Sequence, residues 1–148
     1  MTDRYLLDAS AFLRFFSESD SEHATIVQAV NRILREGGTI YYSPQVVRES
    51  WSVLTRPATV GGYGRTPEFA ASIISKAKNA FSFIDDTPAI YQNWLDLVKT
   101  HGVSGRQVHD ANHVAAMIAH GITHIITLDS RDFGRYSQIT VLRPEDIQ

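Results

Sequence analysis

Two short apolar runs of this chain each end on an aspartate. Tyr5-Leu6-Leu7 is followed by Asp8, and the run His124-Ile125-Ile126-Thr127-Leu128 is followed by Asp129. Such runs are typical of strands that are buried on both faces, as in a parallel sheet. The carboxyl ends of these strands form the crevice in which open α/β sheets bind ligands. A carboxylate buried there needs a partner, because an unpaired one costs several kcal/mol or acquires a raised pKa.

Two further acids are predicted to lie at the same edge. Ser43-Pro44 has the pattern of an N-cap followed by proline at the first helical position. The helix that begins there carries Glu49 within about two turns of its start. Asp110 is predicted to begin a later helix. These carboxylates would repel one another, and Mg²⁺ or Mn²⁺ would relieve the repulsion because hard cations take oxygen ligands. Such a site suits metal-assisted hydrolysis of a phosphodiester.

The elements that must position these acids alternate along the chain. Residue patterning predicts strands over 5–7, 39–42, 81–84, 124–128 and 139–142. Helices are predicted over 11–16, with Ser10 near the cap, over 22–35, from Pro44, from Pro67, from Pro88 to Gly102 and from Asp110 to Gly121. The last of these is expected to face the core with Ala111, Val114, Ala115 and Ile118. Alternation of strands and helices predicts a three-layer α/β/α sandwich with a mainly parallel sheet and right-handed crossovers.

Length and composition suit a single domain over 1–148. The chain is 43% hydrophobic, which supports a full core, and no linker, repeat or low-complexity tract divides it. A net charge of -2 argues against nucleic-acid binding driven by bulk charge, but not against a local basic rim. The absence of cysteine excludes disulfides, zinc–thiolate sites and cysteine nucleophiles. No signal peptide or spanning segment is recognised, so a cytoplasmic protein without a membrane role is expected.

Four segments resemble the PIN-domain ribonucleases, and most closely the VapC-type toxins of toxin–antitoxin pairs. They are Leu7-Asp8-Ala9-Ser10, the stretch from Ser43 to Glu49, Val108-His109-Asp110-Ala111 and the stretch from Thr127 to Phe133. They occur in the order of the family's motifs and on the expected elements, and the resemblance extends over nearly the whole chain.

The resemblance implies roles for particular residues. Asp8, Glu49, Asp110 and Asp129 correspond to the acidic quartet that holds Mg²⁺ or Mn²⁺, with Asp132 as an alternative fourth acid. Ser10 matches a small hydroxyl position, and Thr127 is expected to orient a ligand from behind. The family further implies an endoribonuclease acting on RNA, a homodimer and a cognate antitoxin that blocks the acidic site.

Each candidate also has an ordinary explanation. Asp8 and Asp110 could cap helices, Glu49 could be a solvated helix residue, and Asp129 could belong to a turn. A histidine–metal site is disfavoured, because no pair of histidines lies beside a carboxylate at ligand spacing, except for His109 next to Asp110; the other histidines considered are His101, His113, His120 and His124. Several arginines flank the proposed site and are candidate phosphate contacts, although a solvated charge is the favoured explanation for any single one of them; they are Arg14, Arg48, Arg56, Arg65, Arg106, Arg131 and Arg135.

Two other functions compete with a nuclease. In one, Asp8 is the nucleophile of a haloacid-dehalogenase-like phosphatase, but that family requires a second aspartate two residues on, where this chain has Ser10. In the other, the chain is a PIN-fold binding module that no longer cuts. Retention of all four acids argues against the second alternative.

Overall fold

Five parallel strands form the central sheet. The computed structural model describes residues 3–148. The strands are β1 (Arg4–Leu7), β2 (Thr39–Tyr42), β3 (Ser82–Phe83), β4 (His124–Ile126) and β5 (Thr140–Leu142), in the order β3-β2-β1-β4-β5. Residues 1–2, which begin the segment predicted to lack a signal peptide, lie outside the described part.

Within residues 3–148, six α-helices connect the strands. They are α1 (Ala9–Phe15), α2 (His23–Arg35), α3 (Pro44–Thr55), α4 (Pro67–Ala80), α5 (Pro88–His101) and α6 (Gln107–His120). Short 3₁₀ helices cover Ala58–Val60, Ser130–Phe133 and Pro144–Ile147. The predicted α/β class with a parallel central sheet is confirmed. Among the helices described in residues 3–148, none combines the length and apolarity needed to cross a bilayer.

Strand β1 lies at the centre of the sheet, because it pairs with β2 on one side and β4 on the other. Leu6 and Leu7 are fully buried, as are Ile125 and Ile126 beside them. Strand order reverses at β1, since the chain adds β2 and β3 on one side and β4 and β5 on the other. The crevice at the carboxyl ends of β1 and β4 is therefore the switch point at which such sheets bind ligands.

Helix starts differ from the predictions at two of the candidate residues. Helix α1 begins at Ala9, and its N-cap is Asp8, not the neighbouring Ser10. Helix α6 begins at Gln107, so Asp110 lies in its first turn and does not begin it. The expected start of α3 is confirmed, because Ser43 Oγ accepts a hydrogen bond from the Val46 N–H at 3.2 Å.

The inward face of α6 is broader than predicted. Ala111, Val114 and Ala115 are buried as expected, but Ile118 is 39% exposed. His113 and Met117 are buried instead. Helix α6 packs against α5 as well as the core, so its buried face extends beyond a single apolar stripe.

Candidate active site

Asp8 connects the end of β1 to the start of α1. Its Oδ1 accepts hydrogen bonds from the Ala11 N–H at 3.0 Å and the Ser10 hydroxyl at 2.6 Å, and its Oδ2 accepts from the Thr127 hydroxyl at 2.5 Å. Burial raises the pKa of Asp8, and the bonds from Ser10, Thr127 and Ala11 oppose that rise because they favour the charged form.

The hydroxyls of Ser10 and Thr127 tie Asp8 to the end of β4. Ser10 Oγ accepts from the Leu128 N–H at 3.0 Å, and Thr127 Oγ1 accepts from the Asp129 N–H at 2.9 Å. Each hydroxyl thus donates to Asp8 and accepts from the backbone that leads to Asp129. The two residues therefore fix the position of one acid relative to the chain that carries another.

Glu49 extends from α3 toward α6. Its Oε1 lies 2.8 Å from His113 Nε2, and its Oε2 accepts from Gln45 Nε2 at 3.3 Å. Burial acts to raise the pKa of Glu49, but the hydrogen bond and charge of His113 and the bond from Gln45 outweigh it, so the pKa lies below its usual value. The partly exposed Glu49 carboxylate is therefore held in its charged form.

The pKa of Asp110 is shifted in the opposite direction from that of Glu49. Burial and the negative charge of Asp132 raise its pKa to about 6; Glu49 and Asp8 add to the rise, whereas His113 opposes it. A like charge raises a carboxyl pKa only when it lies nearby in a poorly screened environment. The raised pKa of Asp110 thus includes contributions from the negative charges of acids on three other segments.

A cavity of about 510 Å³, here called the acidic cavity, has four of the predicted acids in its wall: Glu49, Asp110, Asp129 and Asp132. Arg106, Gln107 and His109 complete its lining. Asp8 is not part of this wall; it is buried, and Thr127 connects it to the backbone of Asp129.

The donor set of the acidic cavity fits a hard divalent cation in its chemistry. All four wall acids offer carboxylate oxygens, which Mg²⁺ and Mn²⁺ prefer. In residues 3–148, however, no three His, Asp or Glu side chains lie close enough together to form a ready ligand set.

A second cavity of about 600 Å³, here called the arginine cavity, shares Glu49, Asp129 and Arg106 with the acidic cavity. Four of the seven arginines proposed as phosphate contacts line it: Arg14, Arg48, Arg56 and Arg106. Arg65, Arg131 and Arg135 line neither cavity, and the Arg65 guanidinium lies over the Phe69 ring. A chain with a net charge of -2 thus concentrates positive charge beside its acids.

Sequence reasoning missed His113 and Gln45 as partners of Glu49. His113 lies three residues after Asp110, which places the two side chains on the same side of α6. Gln45 lies four residues before Glu49 on α3, with the same consequence. These spacings were visible in the sequence, but they do not reveal that α3 and α6 are neighbours.

Comparison with models of protein families identifies one family. The model of the PIN domain matches residues 5–139. No curated protein sequence matches the chain significantly.

Solved structures with the same fold have low sequence identity to this chain. VapBC2 from Rickettsia felis, bound to a DNA fragment from its promoter, has a TM-score of 0.69 at 14% identity, covering 95% of this chain and 98% of that one. VapC20 from Mycobacterium tuberculosis, described as a sarcin–ricin loop cleaving toxin, has a TM-score of 0.63 at 20% identity, covering 88% and 94%. A toxin–antitoxin complex from Klebsiella pneumoniae has a TM-score of 0.64 at 18% identity, covering 95% and 97%.

Proposed function

Because this chain belongs to the PIN-domain family, we propose that it is a Mg²⁺- or Mn²⁺-dependent endoribonuclease and the toxin of a type II toxin–antitoxin pair. The observation that carries the proposal is the acidic cavity, in which acids from α3, α6 and the segment after β4 form one wall. Acids that merely cap helices or lie on the surface would not be expected to line the same cavity.

In this mechanism Asp8, Glu49, Asp110 and Asp129 would hold the cation, with Asp132 as the alternative to Asp129 for the fourth acid. A bound divalent cation would supply an activated water and a counter-charge for the phosphate. Asp8 contributes negative charge from the end of β1, held there by Ser10 and Thr127. The arginine cavity adjoins this centre, and its guanidinium groups would bind the phosphates that flank the cleaved bond.

The partners follow from the same proposal. Several solved structures of this fold are complexes of a toxin with an antitoxin, and we propose a cognate antitoxin for this chain, a homodimeric state and a cytoplasmic location. A homodimer predicts twice the monomer mass in size-exclusion chromatography with light scattering. Elution at the monomer mass at micromolar concentration would contradict it.

The phosphatase alternative gains no support from the structure. A nucleophilic aspartate needs an accessible oxygen, whereas Asp8 is 5% exposed and both of its carboxylate oxygens accept hydrogen bonds. The alternative of a non-catalytic binding module is distinguished from a nuclease by the metal-binding and cleavage measurements described below.

The decisive variant is Asp8→Asn. We expect it to abolish cleavage of RNA, because it removes a negative charge from the centre while an asparagine can still cap α1. Cleavage would be followed on total RNA by sequencing of the new ends, in Mg²⁺, in Mn²⁺ and in EDTA. Circular dichroism would check that the variant folds.

Full activity of Asp8→Asn, or of the wild-type protein in EDTA, would contradict the metal mechanism. Saturable Mn²⁺ binding without any cleavage would favour the binding module.

A further inference from the structure

We propose that His113 is a positioning residue that orients the Glu49 carboxylate toward the acidic cavity. This inference rests on the proposed function in one respect, the role of Glu49 as a metal ligand. The contact that carries it is the one between His113 Nε2 and Glu49 Oε1, at 2.8 Å.

His113 occupies a position where an apolar residue would be expected. It is 3% exposed, lies on the buried face of α6 between Ala111 and Val114, and its ring centroid is 6.3 Å from that of Phe133. A buried polar side chain is costly unless it is hydrogen-bonded. Its one hydrogen-bond partner in residues 3–148 is Glu49. The contact with that carboxylate therefore offsets the cost of burying the ring.

The hydrogen bond between the ring and the carboxylate has one possible direction. The Glu49 carboxylate is held in its charged form, and an ionised carboxylate can only accept hydrogen bonds. The contact is therefore a donation from His113 Nε2–H to Glu49 Oε1. His113 Nδ1 is buried and has no hydrogen-bond partner among the described residues, so Nε2 is the ring nitrogen through which the side chain is held.

Glu49 is held from a second side by an amide chain. Gln45 Nε2 donates to Glu49 Oε2 and, at 2.8 Å, to the His109 carbonyl, while Gln45 Oε1 accepts from Asn112 Nδ2 at 2.7 Å. The carboxylate is thus held between α3 and α6. An ionised carboxylate has about four lone-pair sites, so two remain for a cation or its water.

Loss of the donor would leave Glu49 free to change rotamer on a partly exposed helix face. Hydrogen-bonding partners of metal ligands typically contribute 10–100-fold to metal affinity. The expected signature is weakened metal binding without loss of the fold.

The test compares three substitutions of His113 in the full-length, metal-free protein. His113→Gln places an amide N–H near the position of Nε2, His113→Asn carries a donor too short to reach Glu49, and His113→Leu removes the donor but keeps the core apolar. His120→Gln, at the end of the same helix, is the control. Mn²⁺ affinity is measured by isothermal titration calorimetry, and RNA cleavage is measured across Mn²⁺ concentrations.

We expect about 10–100-fold weaker Mn²⁺ binding for His113→Leu and His113→Asn, near-wild-type binding for His113→Gln, and recovery of Leu-variant cleavage at high Mn²⁺. In metal-free protein, the Tm change of His113→Leu with Glu49→Met should be smaller in magnitude than the sum of the two single changes, because each substitution removes the same hydrogen bond.

Wild-type Mn²⁺ affinity in His113→Leu, or additive Tm changes, would overturn the inference alone. Wild-type protein that binds Mn²⁺ but cleaves no RNA would contradict the proposed function while leaving the affinity comparison valid. Wild-type protein that binds no divalent cation would overturn both.

Discussion

At the scale of single residues, Asp110 carries much of the electrostatic cost of the acidic cavity. Its pKa is raised to about 6 by burial and by the charges of Asp132, Glu49 and Asp8. Since an unfolded chain would ionise this group near 3.8, the folded state binds the proton more tightly. Stability is therefore highest below about pH 4 for this group, falls between the two pKa values, and stays reduced above pH 6.

Asp110→Asn should remove that cost. A shift of about 2 units corresponds to about 3 kcal/mol, which solvent screening of this partly exposed group reduces to about 1 kcal/mol. In EDTA, the Asn variant should have the higher Tm at pH 7, and the difference should disappear near pH 4. Thermal unfolding across pH measures this.

Asp96→Asn is the matched control, because Asp96 is exposed on α5 away from the acidic cavity. An Asp110→Asn variant that is less stable than wild type at pH 7 would show that the acids do not repel one another as the structure implies.

At the scale of elements, helix α3 holds Glu49 in place through its start. Ser43 directly follows β2, caps α3 with its hydroxyl, and is followed by Pro44 at the first helical position. The position of Glu49 along the helix is thus fixed relative to the sheet edge.

Ser43→Ala should therefore affect both stability and activity. Loss of an N-cap costs about 1 kcal/mol, and fraying of the first turn would also disturb Gln45 and Glu49. Thr66→Ala supplies the control. Thr66 Oγ1 caps α4 in the same way, by accepting from the Phe69 N–H at 3.1 Å, but α4 carries none of the acids that line the acidic cavity. Denaturant unfolding and RNA cleavage would be measured for both.

We expect both variants to lose a similar amount of stability, and only Ser43→Ala to cleave RNA more slowly. Equal cleavage in the two variants would contradict a role for the start of α3 in the site.

At the scale of the whole molecule, charge is distributed unevenly. The net charge is -2, yet four arginines from two helices and two connecting segments line one cavity beside the acids. The endoribonuclease proposed above would bind RNA through local phosphate contacts in this cavity, so we expect its affinity for RNA to depend on salt with a small slope.

Arg56→Gln and Arg106→Gln, each in an Asp110→Asn background, should weaken RNA binding. Each lost phosphate contact should reduce the slope of log affinity against log salt by about 0.7 for a single strand. Arg35→Gln, on the exposed face of α2, should change neither quantity. Fluorescence anisotropy with labelled RNA at several salt concentrations measures both.

An unchanged slope in the Arg56 and Arg106 variants would show that the arginine cavity does not contact the RNA backbone.

The sequence by itself determined the order of elements, the end of β1 and most helix starts, whereas β4 ends at Ile126, two residues before the predicted end of that strand. Asp8 and Asp129 follow buried apolar runs, and Ser43-Pro44 begins a helix for local steric and capping reasons. Because parallel strands end at one edge, local patterns were enough to predict that the acids share a side of the sheet.

Only the tertiary structure decided how those acids are held. The pairing of Glu49 with His113 and the choice of four arginines among seven depend on which side chains meet across different elements. The exposure of Ile118 has the same origin, since helical spacing gives the faces of α6 but not which neighbours cover them. Contacts between distant segments follow from packing in three dimensions, which no local spacing encodes.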